Sequence, residues 1–534
     1  MLAAAHQLGS VPYLIAGAYL LMLIVFSVVA YLRSTSSEVD YYLASRGQGW
    51  FVSSLTIMAT FFSSYALLGA PGMAYRDGVT FALFSLNVPV AGVCVYALGN
   101  RIRRLGRARG YVTPGDMICG YYGKSTPLRL LVAAIGVLYT VPYVVMQIQA
   151  GGILSSQMFP GAASFEIGTV VLAVITMGYV MVGGMRSVAW TDTVQGLLLM
   201  GGMLLGGAAA VAALGGPSGF IQALKELPAK SLSVPGTKGF WTPAMLFTVC
   251  VFGAVGSMLQ PAQWMRYYAA RSGRTLRRSA VIFAVALTAC YLFGVMLVGL
   301  GGQALYPIID QGGGVLLPHP EVGATARDFD QIMVVVIKNH LPELLGAAGV
   351  VLATLIFVAI MAAAMSTSDS NLHATSALLT RDVYDRFIRP GSSQRERTWI
   401  GRGIIAACTL AALAIVFISK HSDRFNPVAM LISMGLLAIA FSSQLIPVTL
   451  DMLFVRRGTR KGAEAGMAVG ILIVLAFSPL APASEMLGQL RRVIDVGTWA
   501  LIGNVAVFVV VSVFTKRLDP QHVAEFKRQM TGGG

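Results

Sequence analysis

The sequence predicts an all-α polytopic membrane protein with about 13 transmembrane helices. Of its 534 residues, 56% are hydrophobic and only 12% are charged, whereas soluble domains carry about 25% charged residues. The mean hydropathy is +0.71. Apolar runs long enough to cross a bilayer, about 20 residues each, recur along the whole chain. This composition excludes an ordinary soluble enzyme.

Thirteen apolar runs satisfy the length criterion for a spanning helix. They are residues 11–32, 50–75, 79–99, 128–153, 165–182, 188–214, 240–262, 279–303, 344–380, 399–419, 425–450, 463–480 and 494–515. The first run can itself span, and no basic region precedes it, so we expect a helix rather than a cleavable signal. Only a tight turn separates the fifth run from the sixth.

The basic residues predict the orientation of these helices, because Lys and Arg accumulate in cytoplasmic loops. If the N-terminus lies outside, most of the 39 basic residues fall in cytoplasmic loops. These include the clusters Arg101–Arg109, Arg266–Arg278, Arg381–Arg397 and Arg456–Lys461. We therefore expect the N-terminus outside and the C-terminus in the cytoplasm, in the plasma (inner) membrane. Topology explains the net charge of +16, so no nucleic-acid partner is expected.

One polar segment, Ala362–Leu372 (AAAMSTSDSNL), interrupts the apolar run that starts at Gly346. Lipid cannot solvate hydroxyls or a carboxylate, so the segment must face a protein cavity, water or an ion. On a helix, positions 363, 366, 367 and 370 share one face. That face offers hard oxygen donors, which alkali and alkaline-earth cations prefer. The alternative is that the hydroxyls bond back to carbonyls of the preceding turn.

Two spans are predicted to break inside the bilayer, because both contain Gly, Pro and polar residues. The residues are Ser63, Ser64, Gly69, Pro71 and Gly72 in the second span, and Gly253, Gly256, Ser257, Gln260 and Pro261 in the seventh. Paired interruptions at corresponding places indicate the binding site of a secondary transporter. The two spans lie five apart, so two five-helix repeats would be inverted relative to each other. The alternative is that these glycines and prolines serve close helix packing.

Three motifs resemble the sodium:solute symporter family, which has the LeuT-type core. The most specific is GYVMVGGMRSVAWTDTVQG, Gly178–Gly196, in which Gly183-Gly184-Met185-Arg186-Ser187 matches the end of the family signature. The others are AMSTSDS followed by TRDVYDR, Thr380–Arg386, and GAPGMAY, Gly69–Tyr75. The resemblance covers residues 11–515. Gly110–Met117 and Thr140–Gln147 resemble the monocarboxylate and pantothenate branches most.

The resemblance implies a domain organisation built on the two repeats. Residues 1–49 form an extra N-terminal helix and a cytoplasmic loop, 50–214 the first inverted repeat, and 215–239 an extracellular loop. Residues 240–450 form the second inverted repeat, 451–515 two extra C-terminal helices, and 516–534 a short cytoplasmic tail.

The resemblance also implies a main Na⁺ site. By motif, its ligands are the carbonyls of Ala59, Phe62 and Ala363 and the hydroxyls of Ser366 and Thr367. This set agrees with the helix face identified above from spacing alone.

Some family members have a second Na⁺ site nearer the cytoplasm. Its residues here are Asp192, Ser366, Asp369 and Ser370, and Asp369 stands where some members have serine. Two carboxylates near one ion bind it more tightly, or one of them holds a proton. The alternative role for Asp192 is to tether the turn near Arg186.

Polar residues near the breaks are the candidates for contacting a solute. They are Ser63, Ser64, Tyr65, Asn87, Tyr139, Tyr143, Gln147, Gln260 and Gln263. Each can instead bond a neighbouring helix. Proline-type members carry an Asp at the position of Phe61, and sugar-type members often place a Lys in the eighth span, which here has no charge. A small carboxylate or a neutral solute is therefore expected rather than a cationic one.

The predicted function is Na⁺-coupled import of a small organic solute, a monocarboxylate or similar small acid, by alternating access. The alternatives are a neutral solute such as a sugar or polyol, proton coupling, or a non-transporting sensor of the same fold. No catalytic grouping or metal-ligand spacing is visible among the histidines, so the protein is not expected to be an enzyme. Its partners are the solute, Na⁺ and the lipid bilayer, and it is expected to work as a monomer.

Overall fold

The structure, a computed structural model, describes residues 9–32, 37–159, 165–312, 315–325, 328–421, 431–478 and 494–531. These residues are mostly α-helical. The main helices are, in chain order, α1 (Val11–Leu32), α2 (Glu38–Leu43), α3 (Trp50–Phe61), α4 (Tyr65–Asp77), α5 (Thr80–Arg109), α6 (Pro114–Tyr122), α7 (Thr126–Met158), α8 (Phe165–Ala213), α9 (Gly216–Glu226), α10 (Pro243–Met258), α11 (Pro261–Ala269), α12 (Gly273–Leu305), α13 (Ile332–Leu345), α14 (Ala347–Ile388), α15 (Gln394–His421), α16 (Ser433–Val455), α17 (Arg460–Phe477), α18 (Val496–Phe514) and α19 (Pro520–Thr531). Two short strands, β1 (Ile309–Asp310) and β2 (Leu316–Leu317), pair antiparallel.

The predicted polytopic fold is confirmed. Within the described ranges, nine helices are long and apolar enough to cross a membrane, and the bent pairs α3–α4 and α10–α11 raise the number to eleven. Helix α8 contains both the fifth and the sixth predicted spans, and α17 lies on the predicted span 463–480. Residues 425–430 and 479–480 of two predicted spans lie outside the described residues.

Gly184 divides α8 into two spanning segments. A straight helix of its 49 residues would be about 73 Å long, more than twice the thickness of a bilayer core. Gly184 has φ 58° and ψ −167°, a region of backbone space that only glycine occupies readily. A side chain at this position would also meet the ring and the carbonyl oxygen of Tyr41, at 2.9 and 3.0 Å from its Cβ.

The two predicted interruptions appear as bends between short helices. Helices α3 and α4 are bent by 60°, and α10 and α11 by 52°. Phe62 is extended, with φ −89° and ψ 120°, and Tyr65 N–H donates to the hydroxyl of Ser63 at 3.1 Å. At the second bend, Pro261 occupies the start of α11, a helical position where its missing N–H removes no hydrogen bond.

Helix α14 forms the centre of the molecule. From Ala362 to Leu378 every residue is buried, and the helix packs against α7 and α8. A helix that buries both its apolar and its polar residues must satisfy the polar ones with partners inside the protein. The polar segment of the ninth span therefore requires hydrogen-bonding groups on the neighbouring helices that pack against it.

The basic end of the molecule is the end that carries Arg101–Arg109 and Tyr268. Here Gln48, just before α3, pairs by its backbone with the end of α11. Gln48 N–H donates to the Ala269 carbonyl at 3.2 Å, and Arg271 N–H donates to the Gln48 carbonyl at 2.9 Å. Helix α19, predicted only as a short tail, docks at the same end, where Arg109 and Glu525 form an ion pair of 2.9 Å.

We expect Gly184→Ala to lower the stability of the protein in detergent, measured as the thermal unfolding midpoint. The substitution forces alanine into a glycine-only conformation, at a cost of about 1–3 kcal/mol, and it crowds Tyr41. Gly178→Ala in the same helix is the control, because nothing lies within 4 Å of its added Cβ. An equal loss of stability in the two variants would contradict this account of the break.

Candidate functional site

The main cation position predicted from the sequence is assembled at the bend between α3 and α4. The hydroxyl oxygen of Ser366 lies 3.2 Å from the Ala59 carbonyl oxygen and 3.1 Å from that of Ala363. The hydroxyl oxygen of Thr367 lies 3.1 Å from the Ala59 carbonyl oxygen and 3.3 Å from that of Phe62. The structure thus brings all five predicted oxygens together.

The bend explains why a carbonyl at the end of α3 is free to accept a hydrogen bond or to bind a cation. Phe62 N–H donates to the Met58 carbonyl at 2.8 Å, and α3 ends there, so Ala59 receives no helical N–H from Ser63. An unpaired carbonyl inside a membrane needs another donor or a cation. The hydroxyls of Ser366 and Thr367 supply that partner from α14. They can either donate to the carbonyls or turn their oxygens toward an ion.

The donor set at this position carries no formal charge. Ala59, Ala363, Ser366 and Thr367 are fully buried, and Phe62 is 1% exposed. Neutral carbonyl and hydroxyl oxygens suit Na⁺, a hard cation, and the absence of a carboxylate among them favours reversible binding. The residues present therefore fit a transported Na⁺.

The second predicted position is built around Arg266, which is fully buried. Its guanidinium forms an ion pair of 2.8 Å with Asp192 and lies 2.5 Å from the hydroxyl oxygen of Ser370. It also donates to the carbonyls of Thr56 and Ala262, both at 3.1 Å. Arg266 therefore lies between two of the groups predicted to hold a second ion.

Asp369 lies beside this cluster, and its carboxylate forms no ion pair within the part of the chain that the structure describes. Tyr179 O–H donates to its carboxylate at 2.8 Å, and the hydroxyl of Ser370 lies 3.0 Å from the other oxygen. Asp192 also accepts a short hydrogen bond from the hydroxyl of Thr56. The structure thus brings Asp192, Asp369 and Ser370 together, with a guanidinium among them.

The sequence interpretation missed the role of Arg266 and placed it in a loop. The hydropathy pattern predicts that the seventh span ends at residue 262. In the structure, α11 continues to Ala269 and places Arg266 in the interior. The available signal was Pro261, because a proline after a break commonly starts a new helix. Asp192 was alternatively expected to tether the turn near Arg186; Arg186 itself pairs with Asp40 at 2.6 Å.

Several predicted solute-binding residues form one hydrogen-bonded network across the first bend. The backbone N–H and the hydroxyl of Ser64 both donate to the side-chain oxygen of Gln147, at 3.1 and 2.7 Å. The hydroxyl of Ser63 lies 3.5 Å from that of Tyr143. Residues from the second and fourth predicted spans are therefore joined where α3 gives way to α4.

The second bend joins the same region through α7. Tyr139 O–H donates a short hydrogen bond to Gln260, and the Tyr139 and Tyr143 rings stack with centroids 5.1 Å apart. Gln263 is directed to α3, where its amide donates to the Ile57 carbonyl at 3.0 Å. Gln263 thus ties the two broken helices together.

Two candidates stand apart from this network. Tyr65 and Asn87 are buried, and in the described part of the chain the Tyr65 hydroxyl and the Asn87 side-chain oxygen have no hydrogen-bond partner. The Tyr65 ring lies 6.3 Å from that of Phe84, centroid to centroid. These two groups lie on α4 and α5.

Comparisons with known proteins give a consistent result. Residues 41–470 match the family model described as the sodium:solute symporter family. A sodium/proline symporter of Haemophilus influenzae is 28% identical over 477 residues, covering 87% of this chain and 88% of the relative. A sodium/pantothenate symporter of Escherichia coli is 27% identical over 471 residues, covering 86% and 89%.

Among solved structures, the chain is similar to a Na⁺-coupled sialic acid symporter in a substrate-bound, outward-open state. The TM-score is 0.77 at 19% identity, with 96% of this chain and 99% of that chain covered. At this identity the likeness shows the fold, which is the LeuT-type core that the motifs predicted.

We expect Arg266→Gln to destabilise the protein strongly, by about 3–5 kcal/mol, because it leaves the buried Asp192 carboxylate without a cation. Adding Asp192→Asn should recover more than half of that loss, since the double variant buries no unpaired charge. The measurement is chemical unfolding in detergent. Arg389→Gln is the control, because its ion pair with Glu396 lies at the surface, where the arginine side chain is 69% exposed, so its loss should cost less. Additive losses for Arg266→Gln and Asp192→Asn would disprove the coupling.

Proposed function

The chain belongs to the sodium:solute symporter family, and on that premise we propose that it imports a small carboxylate together with Na⁺ by alternating access. Membership establishes an integral, multi-pass transporter of the plasma membrane, with Na⁺ as the co-transported ion. The proposal adds the class of solute, the residues that bind it and the route of the ion.

The observation that carries the proposal is the convergence of five neutral oxygens on the bend between α3 and α4. Na⁺ bound by Ala59, Phe62, Ala363, Ser366 and Thr367 would join the broken helix to α14. The solute-contacting residues Ser63 and Ser64 follow Phe62 directly. Binding of the ion therefore shapes the segment that contacts the solute, and this connection couples the two.

The ion then leaves past the second position in this proposal. Asp192, Asp369 and Ser370 hold Na⁺ briefly as it leaves, and Arg266 competes with the ion for Asp192.

The N-terminus lies outside and the C-terminus in the cytoplasm, so the basic end faces the cytoplasm. The protein works as a monomer and has no nucleic-acid partner. A carboxylate moved with one Na⁺ carries no net charge, so the Na⁺ concentration gradient drives its accumulation; for a neutral solute, one Na⁺ moving through 100 mV would add about 2.3 kcal/mol.

The chemistry of the bends supports a carboxylate. The N-termini of α4 and α11 face the two bends, and their backbone dipoles favour a negative group there. Phe61 stands where a cation-binding acid would otherwise be expected, and its ring packs 5.0 Å from that of Phe283. Proline and pantothenate, named for two relatives, both carry a carboxylate.

A neutral solute is the second candidate. The network of Ser63, Ser64, Tyr143 and Gln147 contains hydroxyls and amides without any charged side chain. Such a network can bind the hydroxyls of a sugar or polyol as readily as a carboxylate. The solute-binding set under this proposal remains Ser63, Ser64, Tyr65, Asn87, Tyr139, Tyr143, Gln147, Gln260 and Gln263.

We expect Ser366→Ala and Thr367→Ala each to raise the Na⁺ concentration for half-maximal uptake about tenfold or more, because each removes one of five ligands. The order of preference among solutes should not change. Uptake into proteoliposomes under an imposed Na⁺ gradient measures both quantities. Ser368→Ala is the matched control, since the Ser368 hydroxyl has no partner among the described residues. Wild-type Na⁺ affinity in both test variants would rule out this site.

A solute panel tests the proposed class. Under a Na⁺ gradient, we expect uptake of at least one short monocarboxylate in preference to proline, pantothenate and a neutral polyol. Gln147→Ala should weaken that uptake, because it releases Ser64 from its fixed position. Failure to transport any monocarboxylate would dispose of the carboxylate assignment, and transport of the polyol alone would favour the second candidate.

A further inference from the structure

A pocket of about 410 Å³ opens at the basic end between α3 and α12. It is lined by Trp50, Arg277, Arg278, Val281 and Ile282. Trp50 begins α3, the helix that carries the Ala59 and Phe62 carbonyls. The pocket lies outside the ion and solute positions described above.

The pocket belongs to a face of α12 that changes from charged to apolar along the helix. Residues 274, 278, 281 and 285 are separated by steps of three or four residues, and residue 277 lies three after 274 and four before 281, so all five border that face. Val281 is 61% and Val285 67% exposed, and Trp50 is 44% exposed. Exposed valines on a membrane helix face lipid, and tryptophan is enriched at the boundary between lipid and water. The arginines therefore lie at headgroup level.

The arginines on this face are not neutralised by the protein. Arg274, Arg277 and Arg278 are exposed, and none forms an ion pair in the part of the chain that the structure describes. The Arg278 guanidinium lies 5.9 Å from the centre of the Trp50 ring. Three unpaired cations beside an apolar groove are complementary to an anionic headgroup with attached acyl chains.

We propose that this pocket binds an anionic phospholipid of the adjacent leaflet, with its phosphate on Arg277 and Arg278 and an acyl chain along Val281 and Val285. A soluble anion would use the arginines but leave the apolar wall uncovered. Trp50 covers the junction between headgroup and chain.

The bound lipid holds α3 against α12. The two helices already meet through the hydroxyls of Ser54 and Ser279, 3.0 Å apart. A lipid that contacts Trp50 on α3 and Arg277 on α12 adds a second contact between the two helices, about two and a half helical turns before the Ala59 carbonyl. The lipid therefore steadies the half-helix that supplies oxygens to the cation position.

Quenching of Trp50 fluorescence tests this site. The purified protein in detergent is titrated with phosphatidylglycerol brominated on its acyl chains, and with brominated phosphatidylcholine. We expect saturable quenching by the anionic lipid, absent in Trp50→Phe, and at least tenfold weaker for the zwitterionic lipid. Arg277→Gln combined with Arg278→Gln should weaken anionic-lipid binding about 30-fold, because each basic residue strengthens attraction to the anionic lipid several-fold.

The control is Arg386→Gln combined with Arg395→Gln, which removes the same charge from exposed residues elsewhere. Unchanged lipid affinity in this control supports the site. If both double variants weakened lipid binding equally, net charge alone would explain the effect and the proposal would be overturned. Equal binding of the anionic and the zwitterionic lipid would also overturn it. Displacement of the lipid by millimolar glycerol phosphate would show a site for a soluble anion and would also overturn it. The readout is binding, so its failure leaves the proposed transport function untouched.

Discussion

The absence of one helical hydrogen bond organises the centre of this protein. Where α3 ends, the Ala59 carbonyl has no amide donor, in a region where lipid offers none. The hydroxyls of Ser366 and Thr367 on α14 donate to this carbonyl instead. The missing hydrogen bond that interrupts the helix thus creates an oxygen-lined position. The same missing bond requires α14 to be buried at the core with its polar face inward.

The positive and negative charges buried near this position almost balance. Asp192 and Arg266 neutralise each other within a fully buried pair, whereas the hydrogen-bond partners of Asp369 among the described residues are hydroxyls, those of Tyr179 and Ser370. A uniformly neutral main position next to a charged second position creates two different environments for one ion. The first offers only neutral oxygens, and the second offers two carboxylates beside a guanidinium.

The parts of this architecture that depend on local chemistry could be predicted from the sequence. Helical spacing placed Ser366, Thr367 and Ala363 on one face, and Gly and Pro marked both bends. The role of Arg266 could not be predicted from hydropathy, because a charged residue ends an apolar run whether it lies in a loop or pairs inside the core. Helices α2 and α19 were missed since each is short and depends on tertiary contacts, such as the burial of Phe526, rather than on its own propensity.

The pairing of Gln48 with Ala269 and Arg271 has a consequence for turnover. Both bonds are made by peptide groups, so among substitutions only proline, which lacks the N–H, would remove one of them directly. Under the proposed alternating access, water would replace each bond when the basic end opens, at a net cost of only about 1 kcal/mol. A contact of this strength would keep the cytoplasmic side closed between transport events and still allow it to open and reclose in each one.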